Sequence, residues 1–282
     1  MTGSGGAAVN GSGGAAVTID LADGGRWTSL RLAGREWLWA GPGLVSGPRT
    51  GHSSFTDAGG LDECLPTVRG TPDHGGLWNQ PWETSVSYGE ATLTRTFTEH
   101  PPDPTDPQLD QITVDYHLHA PPGYQFVWAA HALLDCADGA TISAPDGTAC
   151  RLYPEAAGLL PSAWPADAPW VATAWPTPLN LATYGPSDGT AVGAVLVDCP
   201  SVSVHDRDAV LVFELSCPGQ PVSTALWRNQ AGFPVGAPYR SLGVEPMLGR
   251  VFDLAEAGPG DAAVVPASGQ LAWRLTVSAR PV

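Results

Sequence analysis

At 282 residues the chain is long enough to bury a substantial core without disulfides, and a single domain is expected. All 13 basic residues are arginine and face 28 acidic ones, a formal charge of −15 that argues against binding nucleic acid or an anionic membrane. The absence of lysine excludes Schiff-base chemistry, and 34 glycines and 28 prolines among short Val, Leu, Trp and Thr runs without helical periodicity predict an all-β fold.

Residues 1–16 have neither the charged start nor the apolar core of a secretory signal and read as a flexible Gly/Ser/Ala tail before a single domain over 17–282. No apolar run approaches the roughly 20 residues needed to cross a bilayer. Cys64, Cys136, Cys150, Cys199 and Cys217 share no CxxC spacing, which fits a reduced, cytoplasmic protein better than a disulfide framework or a structural zinc site.

Runs at 17–21, 27–32 and 35–39, parted by glycine turns, predict an opening β-meander, and 49–57 is irregular. Next comes the stretch densest in chemistry, 59–83, GGLDECLPTVRGTPDHGGLWNQPWE. Its glycines and prolines predict a loop, with the chain free to pass close to a ligand at Gly75-Gly76. Trp78 and Trp82 beside Asp62, Glu63, His74 and Asn79 form either a wall for a hydroxyl-rich ligand or a piece of core. Arg69 is the only cation there, and no Gly-rich loop ends in Lys-Ser/Thr, so a phosphorylated substrate is disfavoured.

Strands are expected at 84–88 and 91–98, and at 111–119, where strict alternation turns His117 and His119 to solvent. In 124–136, Phe126, Trp128 and Ala130 share one face and Val127, Ala129, His131 and Leu133 the other, leaving a histidine within an apolar strand. Residues 141–153 read as a hairpin around Pro145-Asp146-Gly147, and 161–181 as a loop-rich segment carrying three tryptophans. Strands follow at 190–198, 201–204 and 209–216, then at 223–229 (STALWRN), 241–248 (SLGVEPML) and 271–279. Glu245 is the second anomaly, because a carboxylate among Leu242, Val244 and Met247 is costly unless it has a use, and desolvation there would make it a better base.

Five pieces, DGGRWTSLRLAGREWLW, GGLDECLPTV with DHGGLWNQPW, WAAHALLD, LWRNQAGFP and GVEPM, stand in the order found in the aldose 1-epimerase (galactose mutarotase) superfamily, and the chain resembles its hexose-mutarotase-like branches. The resemblance implies a twisted antiparallel β-supersandwich with a sugar cleft on one large sheet. It implies a cofactor-free isomerase acting on a small sugar, with Glu245 as general base, His131 as general acid and His74 against the sugar. Asp62, Trp78, Trp82 and Trp227 are further candidates for binding. Leu77 and Trp78 stand where the family often carries an arginine after HG, and Asp62 and Asn180 are both candidates for its sugar-binding aspartate, so a neutral aldose is expected rather than a sugar phosphate. Two other readings stay open: a carbohydrate-binding protein of the same fold without catalysis, and a metal-dependent hydrolase or lyase using two histidines and a glutamate.

Overall fold

The computed structural model describes residues 6–11, 14–41, 59–98, 104–177 and 179–282. Its strands begin with β1 (Gly6–Asn10), β2 (Ala16–Asp20), β3 (Arg26–Leu32), β4 (Arg35–Glu36), β5 (Leu61–Cys64), β6 (Ser85–Tyr88) and β7 (Ala91–Thr98). There follow β8 (Asp110–His119), β9 (Gln125–Phe126), β10 (Trp128–Leu134), β11 (Ala140–Ser143), β12 (Ala149–Leu152), β13 (Val171–Ala174) and β14 (Thr183–Tyr184). The last are β15 (Thr190–Leu196), β16 (Ser201–Asp206), β17 (Ala209–Ser216), β18 (Val222–Phe233), β19 (Tyr239–Leu248), β20 (Ala263–Val264) and β21 (Gln270–Pro281). Among the described residues helix is confined to the 3-10 turns Pro154–Leu159 and Leu254–Glu256.

An 11-stranded antiparallel sheet runs β1-β2-β3-β5-β10-β19-β18-β15-β12-β13, with β4 on β3. An 8-stranded sheet runs β14-β11-β16-β17-β21-β8-β7-β6, and β20 pairs with β9. The two large sheets face each other through one apolar core, to which Trp27, Trp128, Leu226 and Val244 come from the first and Tyr116, Phe213 and Leu275 from the second. Each such side chain, taken fully out of water, contributes on the order of 2 kcal/mol. Strand β8 shows the expected alternation, with Tyr116 and Leu118 inward and His117 and His119 exposed.

Strand β10 is buried at every position, which alternation alone does not explain. Its inner face packs in the sandwich, while its outer face lies under a smaller cluster of Cys64, Val127, Ala129, Ala225, Met247 and Phe252. The outer face of the large sheet is therefore partly roofed, and it is there that His131 and Glu245 point.

Four expectations change. Gly6–Asn10, assigned by composition to the tail, pairs with β2 from Gly6↔Asp20 to Asn10↔Ala16, because an edge strand is held by backbone hydrogen bonds that Gly and Ala make as well as any residue. Leu61–Cys64, placed in a loop, is strand β5 between β3 and β10. Residues 141–153 do not form a hairpin: β11 pairs with β14 and β16 in one sheet, β12 with β13 and β15 in the other, so the Pro145-Asp146-Gly147 turn carries the chain between layers. Gly75 and Gly76 admit the protein's own chain, since a Cβ on Gly75 would strike the Leu65 backbone and one on Gly76 the Tyr88 ring. Residues 49–57 lie outside the described residues.

Candidate active site

The site grows from one row of side chains across the outer face of the large sheet. Strand β5 sets Asp62 directly opposite His131 of β10. Strands β10 and β19 pair at Ala129↔Met247 and Leu133↔Gly243, and the same register brings His131 opposite Glu245; the three positions between are not paired, and Pro246, with no amide hydrogen to give, lies among them. Glu245 in turn pairs with Ala225 of β18. Asp62, His131 and Glu245 thus form a line perpendicular to the strands.

His131 Nε2 lies 3.6 Å from Glu245 Oε1, close enough for strong electrostatic coupling and too far for a hydrogen bond. Glu245 is only 2% exposed, and its Oε2 is buried with no hydrogen-bond partner. His74 meets the His131 ring edge-on, with centroids 5.0 Å apart, and its Nδ1 is 3.1 Å from Asp73 Oδ1. One row along, Trp227 of β18 sits between two cross-strand glycines, Gly193 and Gly243. A Cβ at Gly243 would come within 2.8 Å of both Glu245 Oε1 and Trp227 Cβ, so glycine there leaves the space that the carboxylate and the indole share.

Burial raises the affinity of Glu245 for its proton, and the charges of His131 and Arg69 only partly offset it, which brings the carboxylate toward the range of a base useful at neutral pH. Burial depresses His74 to about 4, so its ring is neutral at physiological pH. Cys64 shares this face, but burial and the surrounding carboxylates push its thiol well up, so it stays protonated. All five cysteines are buried and free. Among the described residues no group of three or more His, Cys, Asp and Glu side chains is arranged to hold a metal ion, so they offer no ligand set for the hydrolase reading.

No family model matches the chain, and no curated protein does. Solved structures do match. An Escherichia coli K12 protein provisionally described as an aldose 1-epimerase superposes with a TM-score of 0.61 at 11% identity, over 98% of this chain and 100% of its own. A galactose mutarotase-like protein from Lactobacillus casei gives 0.52 at 12% identity, over 98% and 100%. The Slr1438 protein of Synechocystis gives 0.59 at 14%, over 95% and 92%. The chain has the galactose-mutarotase-like fold. Within that mutarotase-like sandwich the large sheet carries Asp62, His74, His131, Glu245 and Trp227 on or against one face. No helix among the described residues is long and apolar enough to cross a membrane.

The remaining expected residues separate from this group. Trp82 is not a wall of the site: it is 1% exposed within the main core, with the Arg95 guanidinium 4.0 Å over its ring. Trp78 is buried as well, its carbonyl pressed against Gly24, and so presents no open face. Asn180 is exposed on the loop after β13. Asp62 and Glu63 are adjacent in sequence and part company because successive strand residues point to opposite faces. Glu63 turns into the core, where its carboxylate accepts from Tyr116 Oη at 2.7 Å, Trp128 Nε1 at 2.9 Å and Arg95 Nη1 at 3.1 Å.

Arg69 stands at the flank of the site, a role that sequence reasoning missed. Its guanidinium lies 4.4 Å from the Phe252 ring and 5.9 Å from that of Trp227, and it is ion-paired with Glu155 at 2.8 Å. Gly193 makes room for it, since a Cβ there would meet Arg69 Nη2 at 2.7 Å. The only signal in the sequence was its standing as the sole cation of the central stretch.

Proposed function

We propose that the chain is an aldose 1-epimerase-like isomerase that interconverts the anomers of a neutral aldose by acid–base catalysis without a cofactor. The observation that carries this reading is Glu245, a buried carboxylate with one oxygen unpartnered, facing His131 across 3.6 Å. An orphan acceptor of this kind costs about 1–3 kcal/mol unless something satisfies it, and a sugar hydroxyl does so.

Glu245 takes the proton from the C1 hydroxyl while His131 delivers one to the ring oxygen. The C1–ring oxygen bond breaks and C1 becomes a carbonyl. After rotation about C1–C2 the ring oxygen attacks the other carbonyl face, returning its proton to His131 as Glu245 gives back the first. Each group contributes roughly 10²–10⁴-fold. His74 and Asp62, beside His131, hold sugar hydroxyls, and the half-buried Trp227 offers an apolar face to the sugar's C–H bonds. The Arg69 guanidinium already has a carboxylate partner in Glu155, which supports a neutral sugar over a phosphorylated one.

Two-dimensional exchange spectroscopy of anomeric protons, with catalytic protein and a panel of neutral aldoses, tests the reading. The expected result is enhanced exchange for at least one sugar, lost in Glu245→Gln and His131→Asn while sugar binding persists. Full rate in either variant overturns the acid–base assignment. Saturable binding with no rate above buffer would instead make the chain a carbohydrate-binding protein of this fold.

A further inference from the structure

A cleft of about 460 Å³ opens at one end of the sandwich. It lies between Thr183 of β14 in the smaller sheet and Thr190, Arg228 and Gln230 of β15 and β18 in the larger. Arg228 is next to Trp227 in sequence but points the other way, since its cross-strand partners Val192 and Leu242 belong to the main core. The cleft is therefore on the face opposite Glu245, and what it binds does not depend on the isomerase reading.

Arg228 is 7% exposed, and among the described residues it makes no ion pair. In a chain with 28 acidic residues against 13 basic ones this is conspicuous. Arg26, Arg95 and Arg151, also buried or nearly so, each face a carboxylate. Arg228 Nη1 instead donates to the carbonyls of Leu179 at 3.0 Å and Asn180 at 3.4 Å, which fixes the guanidinium plane. Its Nε is buried and has no acceptor. Asp188 at the rim bonds the Thr190 amide and hydroxyl at 2.9 and 2.6 Å, so its charge reaches Arg228 without an ion-pair contact. Gln230 is likewise engaged, through Nε2 to the Pro186 carbonyl at 2.8 Å.

A fixed, desolvated guanidinium whose Nε edge has no acceptor lacks an anion in contact with it. A planar carboxylate matches that edge, whereas a phosphate dianion would meet a single cation and the nearby Asp188 charge. Leu159, Leu179 and Pro186 line the rest of the cleft and suit an apolar body. We propose that this cleft binds a small organic carboxylate with an apolar body, its carboxylate seated on the Nε edge of Arg228.

The test follows the Arg228 Nε–H signal by nitrogen-15 NMR, assigned through its side chain to the backbone, during titration with butyrate and benzoate at ionic strength held constant with chloride. The expected result is a saturable shift of that signal with both carboxylates, weaker with inorganic phosphate and absent with chloride. Binding of benzoate, followed by calorimetry, should be lost in Arg228→Met. Should that variant fail to fold, Asp188→Asn keeps the acceptor for Thr190, removes the opposing charge, and should tighten benzoate by roughly two- to fivefold. No saturable shift, an equal shift with chloride, undiminished binding in a folded Arg228→Met, or no tightening in Asp188→Asn overturns the proposal.

Discussion

Two fully buried carboxylates of one sheet, Glu63 and Glu245, invite the same substitution with opposite results. Glu63 accepts three hydrogen bonds, from Tyr116, Trp128 and Arg95. Glu63→Met strands those donors and leaves the Arg95 charge, only 4% exposed, without its partner. Removing one member of a buried pair in this way costs about 3–5 kcal/mol. Glu245→Met removes a desolvated carboxylate whose Oε2 bonds nothing, in a site whose neighbours Cys64, Ala225 and Met247 are already apolar. Losing an orphan acceptor returns about 1–3 kcal/mol, set against the attraction that His131 and Arg69 exert on its charge. For a chain of this size 1 kcal/mol corresponds to about 2 °C, so Glu63→Met should melt about 6–10 °C lower than the parent and Glu245→Met higher, by at most about 6 °C once the lost attraction is subtracted. Circular dichroism melts, checked by urea midpoints at unchanged m-value, read both. Equal destabilisation of the two variants would refute the reasoning, because it would mean that Glu245 is held by the fold as firmly as Glu63 and is not kept for a ligand.

Three further outcomes follow from the same geometry. His74 titrates near 4 in the fold against 6.5 as its ordinary value, so the unfolded chain binds the extra proton between those limits; its contribution is complete above pH 6.5 and declines as pH falls toward 4. Urea midpoints across that range should fall less steeply in His74→Asn than in the parent, and an identical slope would show that His74 is not the group responsible. Trp82→Ala should cost about 3–5 kcal/mol as a core truncation, whereas Trp227→Ala, on the half-buried face, should mainly raise KM for the sugar, by tenfold or more, with a smaller change in melting temperature. Gly243→Ala places a methyl 2.8 Å from Glu245 Oε1, and should cost about 1–3 kcal/mol and lower kcat, measured by anomer exchange.

His131 and Glu245 were legible in the sequence because each breaks the rule of its own strand: β10 and β19 are apolar runs, and a titratable group within such a run needs a reason. Their separation of over a hundred residues said nothing about distance, which only the register between β10 and β19 supplies. The central stretch misled for the converse reason. Its glycines and prolines hid the four residues of β5, and without a strand there was no alternation to part Asp62 from Glu63 or to send one toward His131 and the other to Arg95. With β5 unrecognised, Trp82 could not be distinguished from a ligand wall, since its place depends on the Glu63–Arg95 pair beneath it.

Local turn chemistry marks where a chain bends and leaves open which sheet it enters next. The Pro145-Asp146-Gly147 turn would serve a hairpin, but the strands on either side find their partners in different layers, and the deciding contacts are more than forty residues away. Arg69 and Arg228 show the same limit in side chains. Each sits in an unremarkable local sequence, and each acquires its meaning from what faces it: Glu155 and Trp227 for the first, two backbone carbonyls and an Nε–H without an acceptor for the second. Glu245 and Arg228 are thus opposite cases of one principle, a buried charge that the fold leaves partly unsatisfied. They lie on strands β19 and β18, paired side by side yet facing opposite sides of the same sheet. A fold selected for stability alone has no use for either; under the two proposals made above, molecules from outside the chain complete them.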